Sequence, residues 1–476
     1  MTLQRPLLAL VAAAVMTACA HQPPPPAPTP EPPTAWRAPL PHGGSSAALA
    51  DWWQRFDDPQ LVTLIERAQA QSPTLRMAAA RLQQARAQAD QARALLLPQT
   101  QALAQATRSK GVTAGFEATT ASSASLTASW ELDLFGGQRA QAAAGAAQAA
   151  AAAAQWHEAR VSLAADVAAA YLQLRHAQAQ EEVAEIDHRL ALQLADWGQQ
   201  QRQAGLISAS DAALLNTERA AAAAARSAQR AEAQIALQTL ALLCAEPAGA
   251  LAERLAPPPL PEGLALPQRR LVQAPPFSLS ALPAQVLAQR PDIAAAHQQW
   301  LAALRQQRAV DAQRYPQLSL SGLIGQARFS LGGGSSSGAS WSIGPSLSLP
   351  LFDGGLRSAQ SAAAAAASDE AAAALQQRWL QAVAEVEQAL ERLRAGAERQ
   401  REVDAAQREW EGIAQRTSAQ AQAGLQSGVQ RNTAYRNALS AYGAALAVRL
   451  EHANAWLRLY RSLGGGWSAA AATSSN

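Results

Sequence analysis

The sequence predicts a mixed α+β membrane protein made of two copies of one structural unit, with four membrane strands per chain and very long helices. Three observations predict it. The chain repeats itself with a period of about 218 residues. Each copy holds a segment of two-residue alternation about as long as a membrane-crossing strand, which takes about 9–11 residues. Each copy also holds an uninterrupted Ala-rich stretch, 138–203 and 358–422, which as a helix reaches about 100 Å at 1.5 Å per residue.

The repeat rests on four landmarks in the same order. Gln71-Ser72-Pro73-Thr74-Leu75 returns as Gln289-Arg290-Pro291-Asp292-Ile293, and Leu97-Pro98-Gln99 as Tyr315-Pro316-Gln317. Trp130-Glu-Leu-Asp-Leu-Phe135-Gly-Gly returns as Ser346-Leu-Ser-Leu-Pro-Leu-Phe352-Asp-Gly-Gly. Ala204-Gly205-Leu206 returns as Ala423-Gly424-Leu425, each followed by a serine two residues on. The copies span 49–246 and 283–462, with a linker at 247–282 and a tail at 463–476.

The chain opens with Arg5, a short apolar stretch from Leu7 to Met16, and small residues before Cys19. The stretch is too short to span a bilayer as a helix, and no other apolar run reaches 18 residues. Residues 1–18 read as a signal peptide of the bacterial lipoprotein type, which would leave Cys19 as a lipidated first residue. An ordinary signal peptide that happens to contain a cysteine is the alternative. The Pro-rich segment within 19–48 favours the lipid reading, because it forms an extended tether that cannot build a core.

Each copy then follows one grammar. A helix is expected over 73–97 and 291–315, with proline at the start and a stop before Pro98 or Pro316. Strands follow near 99–109 and 124–134, and near 317–329 and 341–351. In the second strand of each pair the alternation places Leu126, Trp130 and Leu132, or Trp341, Ile343, Leu347 and Leu349, opposite Ser and Thr. The Gly332–Gly338 tract reads as a loop between strands. The long helix comes next, then a turn at Gly205 or Gly424, then a helix over 209–244 or 429–462. Abundant alanine suits helix formation and close helix approach.

Two ordinary hairpins in a soluble domain would not explain the hydroxyl face, the long loops and the lipoprotein signal together. As membrane strands, Leu126, Trp130, Trp341, Ile343, Leu347 and Leu349 are expected to face lipid, with the tryptophans near the interfaces. Four strands cannot close, and lipid does not tolerate open sheet edges. Two chains would give an eight-stranded barrel filled by side chains. Three give twelve strands with room for water, so a homotrimer is expected.

These residues resemble the outer-membrane efflux lipoproteins of the TolC/OprM type, NodT subgroup. The resemblance rests on Asp51-Trp-Trp-Gln-Arg-Phe-Asp-Asp-Pro-Gln-Leu61, Ala80-Arg81-Leu82, Trp130 to Gly137, Arg290-Pro291-Asp292, Tyr315 to Ser321, Pro350 to Gly355, and Leu459 to Trp467. It implies a trimeric 12-stranded barrel in the outer membrane, an α-helical barrel across the periplasm and a mixed equatorial belt from 49–70, 247–282 and 463–476. It also implies a triacylated Cys19 and, with Ala20 rather than Asp, an outer-membrane address extending into the periplasm of a Gram-negative bacterium. The implied function is a passive exit duct for drugs or other small toxic solutes. An inner-membrane pump, usually of the RND class, would drive export through a periplasmic adaptor. A pore-free periplasmic coiled-coil lipoprotein or adaptor, and a protein-secretion duct, remain alternatives.

The resemblance also places the turns after Gly205 and Gly424 at the end of the duct that closes at rest. There, polar links hold the helix pairs together and an acidic ring lines the narrowest point. Asp211 keeps the expected carboxylate in the first copy. The second copy departs from the family pattern, with Ala421, Gln426, Gln430 and Thr433 where an aromatic, a basic and two acidic residues are expected. Arg431 is the nearest basic residue to pair with Asp211 as a latch. The alternative is that Asp211 only stabilises the start of its own helix.

Composition excludes much else. The 476 residues carry 39 basic and 36 acidic side chains, a net of +3, with no basic block, so nucleic acid is not an expected partner. Lys110 is the single lysine, and Ser109-Lys110-Gly111 is no phosphate-binding loop. Cys19 and Cys244 cannot form a disulfide framework or a structural zinc site, and the seven histidines lack metal-binding spacing. Gly334-Ser335-Ser336-Ser337-Gly338 matches a nucleophile-elbow pattern but lacks its strand-to-helix setting. Asp57-Asp58 and Glu181-Glu182 read as solvated positions. No enzyme activity, metal or cofactor is expected beyond the lipid on Cys19.

Overall fold

The structure, a computed structural model, describes residues 49–110, 118–258, 267, 274–276, 287, 290–331 and 334–467. The signal peptide, Cys19, the tether, Gly332–Gly333 and much of the linker and tail lie outside the described residues.

A 3-10 helix, Leu49–Phe56, precedes α1 (Pro59–Gln71) and α2 (Pro73–Ala94). Strands β1 (Gln99–Ser109) and β2 (Thr119–Leu132) lead into α3 (Gly137–Gln203), α4 (Ala209–Cys244) and the short α5 (Ala248–Arg254). The second copy runs α6 (Pro291–Ala312), β3 (Gln317–Leu331), β4 (Gly334–Ser348), α7 (Leu356–Gln422) and α8 (Gly428–Ser462), then a 3-10 turn, Gly464–Gly466. Helices α3 and α7 are 67 residues each. Proline opens α2 and α6, where the absent N–H costs nothing.

The four strands form one antiparallel sheet in the order β1-β2-β3-β4. Its register is continuous. Leu126 lies opposite Ile324, which lies opposite Trp341, and Trp130 opposite Leu320, which lies opposite Pro345. The next rows pair Ser125 with Gly325 and Ser340, and Ser129 with Ser321 and Gly344. One face is therefore apolar over its helix-proximal half and the other hydroxyl-rich. The outer edges of β1 and β4 have no partner strand within the described residues.

The second strand of each pair is displaced from expectation toward the hairpin end, β2 covering Thr119–Leu132 instead of 124–134 and β4 Gly334–Ser348 instead of 341–351. Gly334–Gly338, expected as loop, pairs with Ala327–Leu331. A neighbouring ladder outweighs the weak strand preference of Gly and Ser. β4 stops at Ser348, so Leu349 lies beyond the strand, where Pro350 cannot donate to a ladder.

The chain divides into two compact units. The first comprises 80–154 and 293–378 and contains the sheet with adjoining helix segments. The second takes the remaining described residues, including most of α3, α4, α7 and α8. Its core joins Trp52, Trp53, Phe56, Leu64, Tyr171, Leu240, Trp456 and Tyr460. Trp52 stacks on Tyr460 with ring centroids 5.0 Å apart and donates from Nε1 to the Pro275 carbonyl at 2.9 Å. Large aromatic areas thus lock the 3-10 helix Leu49–Phe56 against the end of α8.

Candidate functional site

Within the first unit, the sheet separates two chemistries. Leu126, Trp130, Trp341, Ile343 and Leu347 share one face, as the alternation predicts. Trp341, Ile343 and Leu347 are 77%, 70% and 67% exposed, so the single chain leaves this band uncovered. Trp130 is half-buried, its indole donating to the Leu96 carbonyl at 3.0 Å. On the other face stand Gln101, Ser125, Thr127, Ser321, Ser342 and Ser346. Glu131 is the one charged strand residue on that face.

A cavity of about 420 Å³ lies where strands meet helices, lined by Glu131, Asp133, Phe135, Gln138 and Gln313 among others. Its carboxylates are engaged. Gln138 Nε2 donates to Glu131 at 3.1 Å, and the Arg139 backbone and guanidinium both donate to Asp133 at 2.9 Å. The cavity therefore offers no free acid–base pair.

Within the second unit, the two Ala-Gly-Leu turns are nearly identical. Gly205 and Gly424 adopt φ of 75° and 76°, the left-handed conformation glycine tolerates best. Leu206 N–H donates to the Gln201 carbonyl and Leu425 N–H to the Gln420 carbonyl, each at 2.8 Å. Ser208 and Ser427 cap the following helices. Asp211 completes the first capping box, accepting from the Ser208 backbone N–H at 3.2 Å and also from Ser208 Oγ at 2.7 Å. Gln430 completes the second, accepting from the Ser427 backbone at 2.9 Å. The amide at 430 keeps the cap and drops the charge.

Asp211 and Arg431 do not pair among the described residues. Asp211 is turned back onto its own helix start. Arg431 bonds Asn432 Oδ1 at 3.3 Å, and its guanidinium lies 5.8 Å over the Trp197 ring. Gln426 sits half-buried in the turn itself.

Other residues join the two helical hairpins, α3–α4 and α7–α8. Arg436 on α8 donates to Asp187 on α3 and Glu218 on α4, both at 2.7 Å. Asn432, fully buried, bridges to Gln193 on α3 at 3.4 Å. Trp197 packs on Gly428, and the adjacent Gly198 faces Leu215 of α4. Consecutive residues of α3 thus receive α8 and α4. Ile186, Leu190 and Leu439 continue this packing along the helices.

Polar nodes also anchor the second unit's core. Tyr171 OH donates to Asp58 at 2.7 Å and accepts from Arg175 Nε at 3.0 Å. Burial, aided by the Asp58 contact, pushes the Tyr171 hydroxyl up to about 12. Arg290, 5% exposed, grips Asp292 through two nitrogens and also reaches Glu385 and the Ser462 carbonyl. Burial alone would lower this guanidinium, but Asp292 and Glu385 hold it above its ordinary value. Asp58 and Glu182 are consequently not the solvated positions expected. Asp58 caps α1 and holds Tyr171, and Glu182 is buried.

Sequence reasoning missed Arg436, Asp187, Glu218, Trp197 and Gly428. No spacing rule links positions so far apart along the chain. The available hint was Trp197-Gly198, a bulky and a minimal residue together just before a turn. Among the described residues, no group of His, Cys, Asp and Glu is placed to hold a metal ion.

The outer membrane efflux protein family matches residues 64–245 and 282–465. The chain is 29% identical over 459 residues to the pyoverdine export outer membrane protein OpmQ of Pseudomonas aeruginosa, covering 91% of each chain. It is 30% identical to the outer-membrane channel OprN, with a TM-score of 0.76, covering 94% of this chain and 100% of that one. The open-state MtrE outer membrane channel of Neisseria gonorrhoeae aligns with a TM-score of 0.77 and 26% identity, covering 94% of this chain and 99% of that one.

Proposed function

Since the chain belongs to the outer membrane efflux protein family, we propose that it is the outer-membrane channel subunit of a tripartite efflux system, a passive duct that catalyses no reaction. Three chains share a 12-stranded barrel, and the long helices continue the duct across the periplasm. The observation that carries this reading is the four-stranded sheet with one apolar face, one hydroxyl face and two edges that have no partner strand among the described residues. Such a sheet is stable in lipid only if its edges are closed by other copies. Leu126, Trp130, Trp341, Ile343 and Leu347 then face lipid, and the Ser/Thr/Gln face lines water.

Energy comes from an inner-membrane pump of the RND class, joined through a periplasmic adaptor. Relatives named for pyoverdine export and for toluene efflux support small solutes as cargo. The turns at Gly205 and Gly424 form the periplasmic mouth. With Asp211 held in its own cap, Arg436 and the Trp197–Gly428 contact bind α8 to the first hairpin and favour the closed mouth. Cys19 carries the lipid anchor.

Purified protein in planar bilayers tests the duct. A heat-resistant trimer with stepwise conductance, and restored dye export in a strain lacking its outer-membrane channel, are expected. A monomer without conductance would instead favour a pore-free adaptor. Labelling with a radioactive fatty acid tests the anchor. Cys19→Ser should lose the label, and equal label in the variant overturns lipidation at that residue.

A further inference from the structure

Only three charged residues occur in the four strands, and two of them, Arg108 and Arg328, share the face that carries the apolar band. Arg108 lies opposite Thr120, and Arg328 lies opposite Ser122 and Ser337. Thr120 and Ser122 belong to the same alternation as Leu126 and Trp130, so both arginines continue the apolar face toward the hairpin ends. Both are exposed and neither forms an ion pair among the described residues. Arg328 Nη2 reaches Ser335 Oγ at 3.5 Å, toward the hairpin end. Lys110, the single lysine of the chain, follows β1 at this end.

Their height along the barrel is informative. From Leu318, at the helix-proximal end of the band, to Arg328 the strand rises about 34 Å at 3.4 Å per residue. Tilted by about 40° in a barrel, this gives about 26 Å of height, close to the apolar band of about 25 Å. Arg328 therefore emerges where hydrocarbon gives way to headgroups, and Arg108 stands slightly farther out. Guanidinium placed lower would be costly. At this level it meets phosphate with a geometry suited to paired hydrogen bonds. The surrounding hydroxyls of Thr120, Ser122 and Ser337 add donors, and no carboxylate of the strands competes.

We infer that Arg108 and Arg328, with the hydroxyls between them, form an outward-facing site for the phosphate groups of an outer-leaflet glycolipid of the lipid A type. The inference rests on the trimeric barrel proposed above. Three copies would girdle the rim and fix the depth of the barrel in the membrane.

Native mass spectrometry of the detergent-purified trimer, mixed with bis-phosphorylated lipid A or its dephosphorylated derivative, tests it. Wild type should retain the phosphorylated form at least about fivefold better. Arg108→Gln and Arg328→Gln should each weaken retention about fivefold, and together about 30-fold, the scale of one surface cation each against anionic lipid. Trimer bands and conductance should be unchanged in the variants. The comparison of the two lipids on wild type needs no variant to fold. Equal retention of the two, or displacement of lipid A by millimolar inorganic phosphate, overturns the site. A wild-type preparation without a conducting trimer overturns the channel reading instead.

Discussion

A Cβ placed on Gly428 would stand 2.8 Å from the Trp197 ring, so α8 begins against α3 only because residue 428 lacks a side chain. Real side chains do not tolerate that distance, and Trp197 is already engaged by Arg431. Gly428→Ala should push the indole aside at a cost of about 1–3 kcal/mol, typical of overpacking. The closed mouth should loosen, and open-state occupancy in planar bilayers should rise. Adding Trp197→Ala should relieve the clash and remove the steric part of the effect. Unchanged closure in Gly428→Ala would eliminate this contact as a determinant of the mouth.

Arg436 makes the second link. Its partners Asp187 and Glu218 come from two helices of the other hairpin, and all three side chains are partly exposed. Solvent screening limits each pair to about 1 kcal/mol or less. Arg436→Gln should raise open-state occupancy by about fivefold, and high salt should partly reproduce this in wild type. Asp187→Asn with Glu218→Gln should have a similar effect, and adding both to Arg436→Gln should change little further, because all act on one node. Full additivity would show that the three residues act separately.

The fold was legible where local chemistry decides it. Prolines at 73 and 291 and glycines at 205 and 424 mark element ends through backbone geometry, and those ends appear in the structure. The two faces of the strands were legible because alternation at Leu126, Trp130, Trp341 and Ile343 leaves one sheet face apolar, whereas the register between strands appears only in the structure. What was hidden is set by partners distant in sequence. Gly334–Gly338 becomes strand because β3 lies beside it. Asp211 turns to Ser208, three positions away, rather than to Arg431, because a capping box is local and an inter-helix pair is not. Arg436 finds Asp187 only once the hairpins have packed.

The sheet register makes a paired test of the two faces. Leu347 lies opposite Leu318 in the apolar band, and Ser346 lies opposite Ser319 on the hydroxyl face. Leu347→Arg should disfavour insertion by up to about 2–4 kcal/mol, depending on depth, and reduce the heat-resistant trimer. Ser346→Arg should leave assembly near normal and alter ion selectivity, because its charge would face water. The reverse pattern would invert the faces.

The last prediction concerns acid. Burial lowers the basicity of His176 and His452, and burial with the nearby Arg160 charge does the same for His157. Nδ1 of His157 and of His176 is buried without a hydrogen-bond partner among the described residues, so a proton there gains no acceptor. The sign follows from linkage. The folded chain binds these protons more weakly than the unfolded chain, whose histidines titrate near 6.5. Stability from the neutral imidazoles is fully present above about pH 6.5 and is lost as pH falls through the lower folded values. Thermal unfolding of the purified protein should move to lower temperature between pH 7.5 and pH 5. His176→Gln and His452→Gln should flatten that dependence without creating a new charge. An unfolding temperature that rises on acidification, or a slope unchanged in the double variant, would show that other groups govern the acid response.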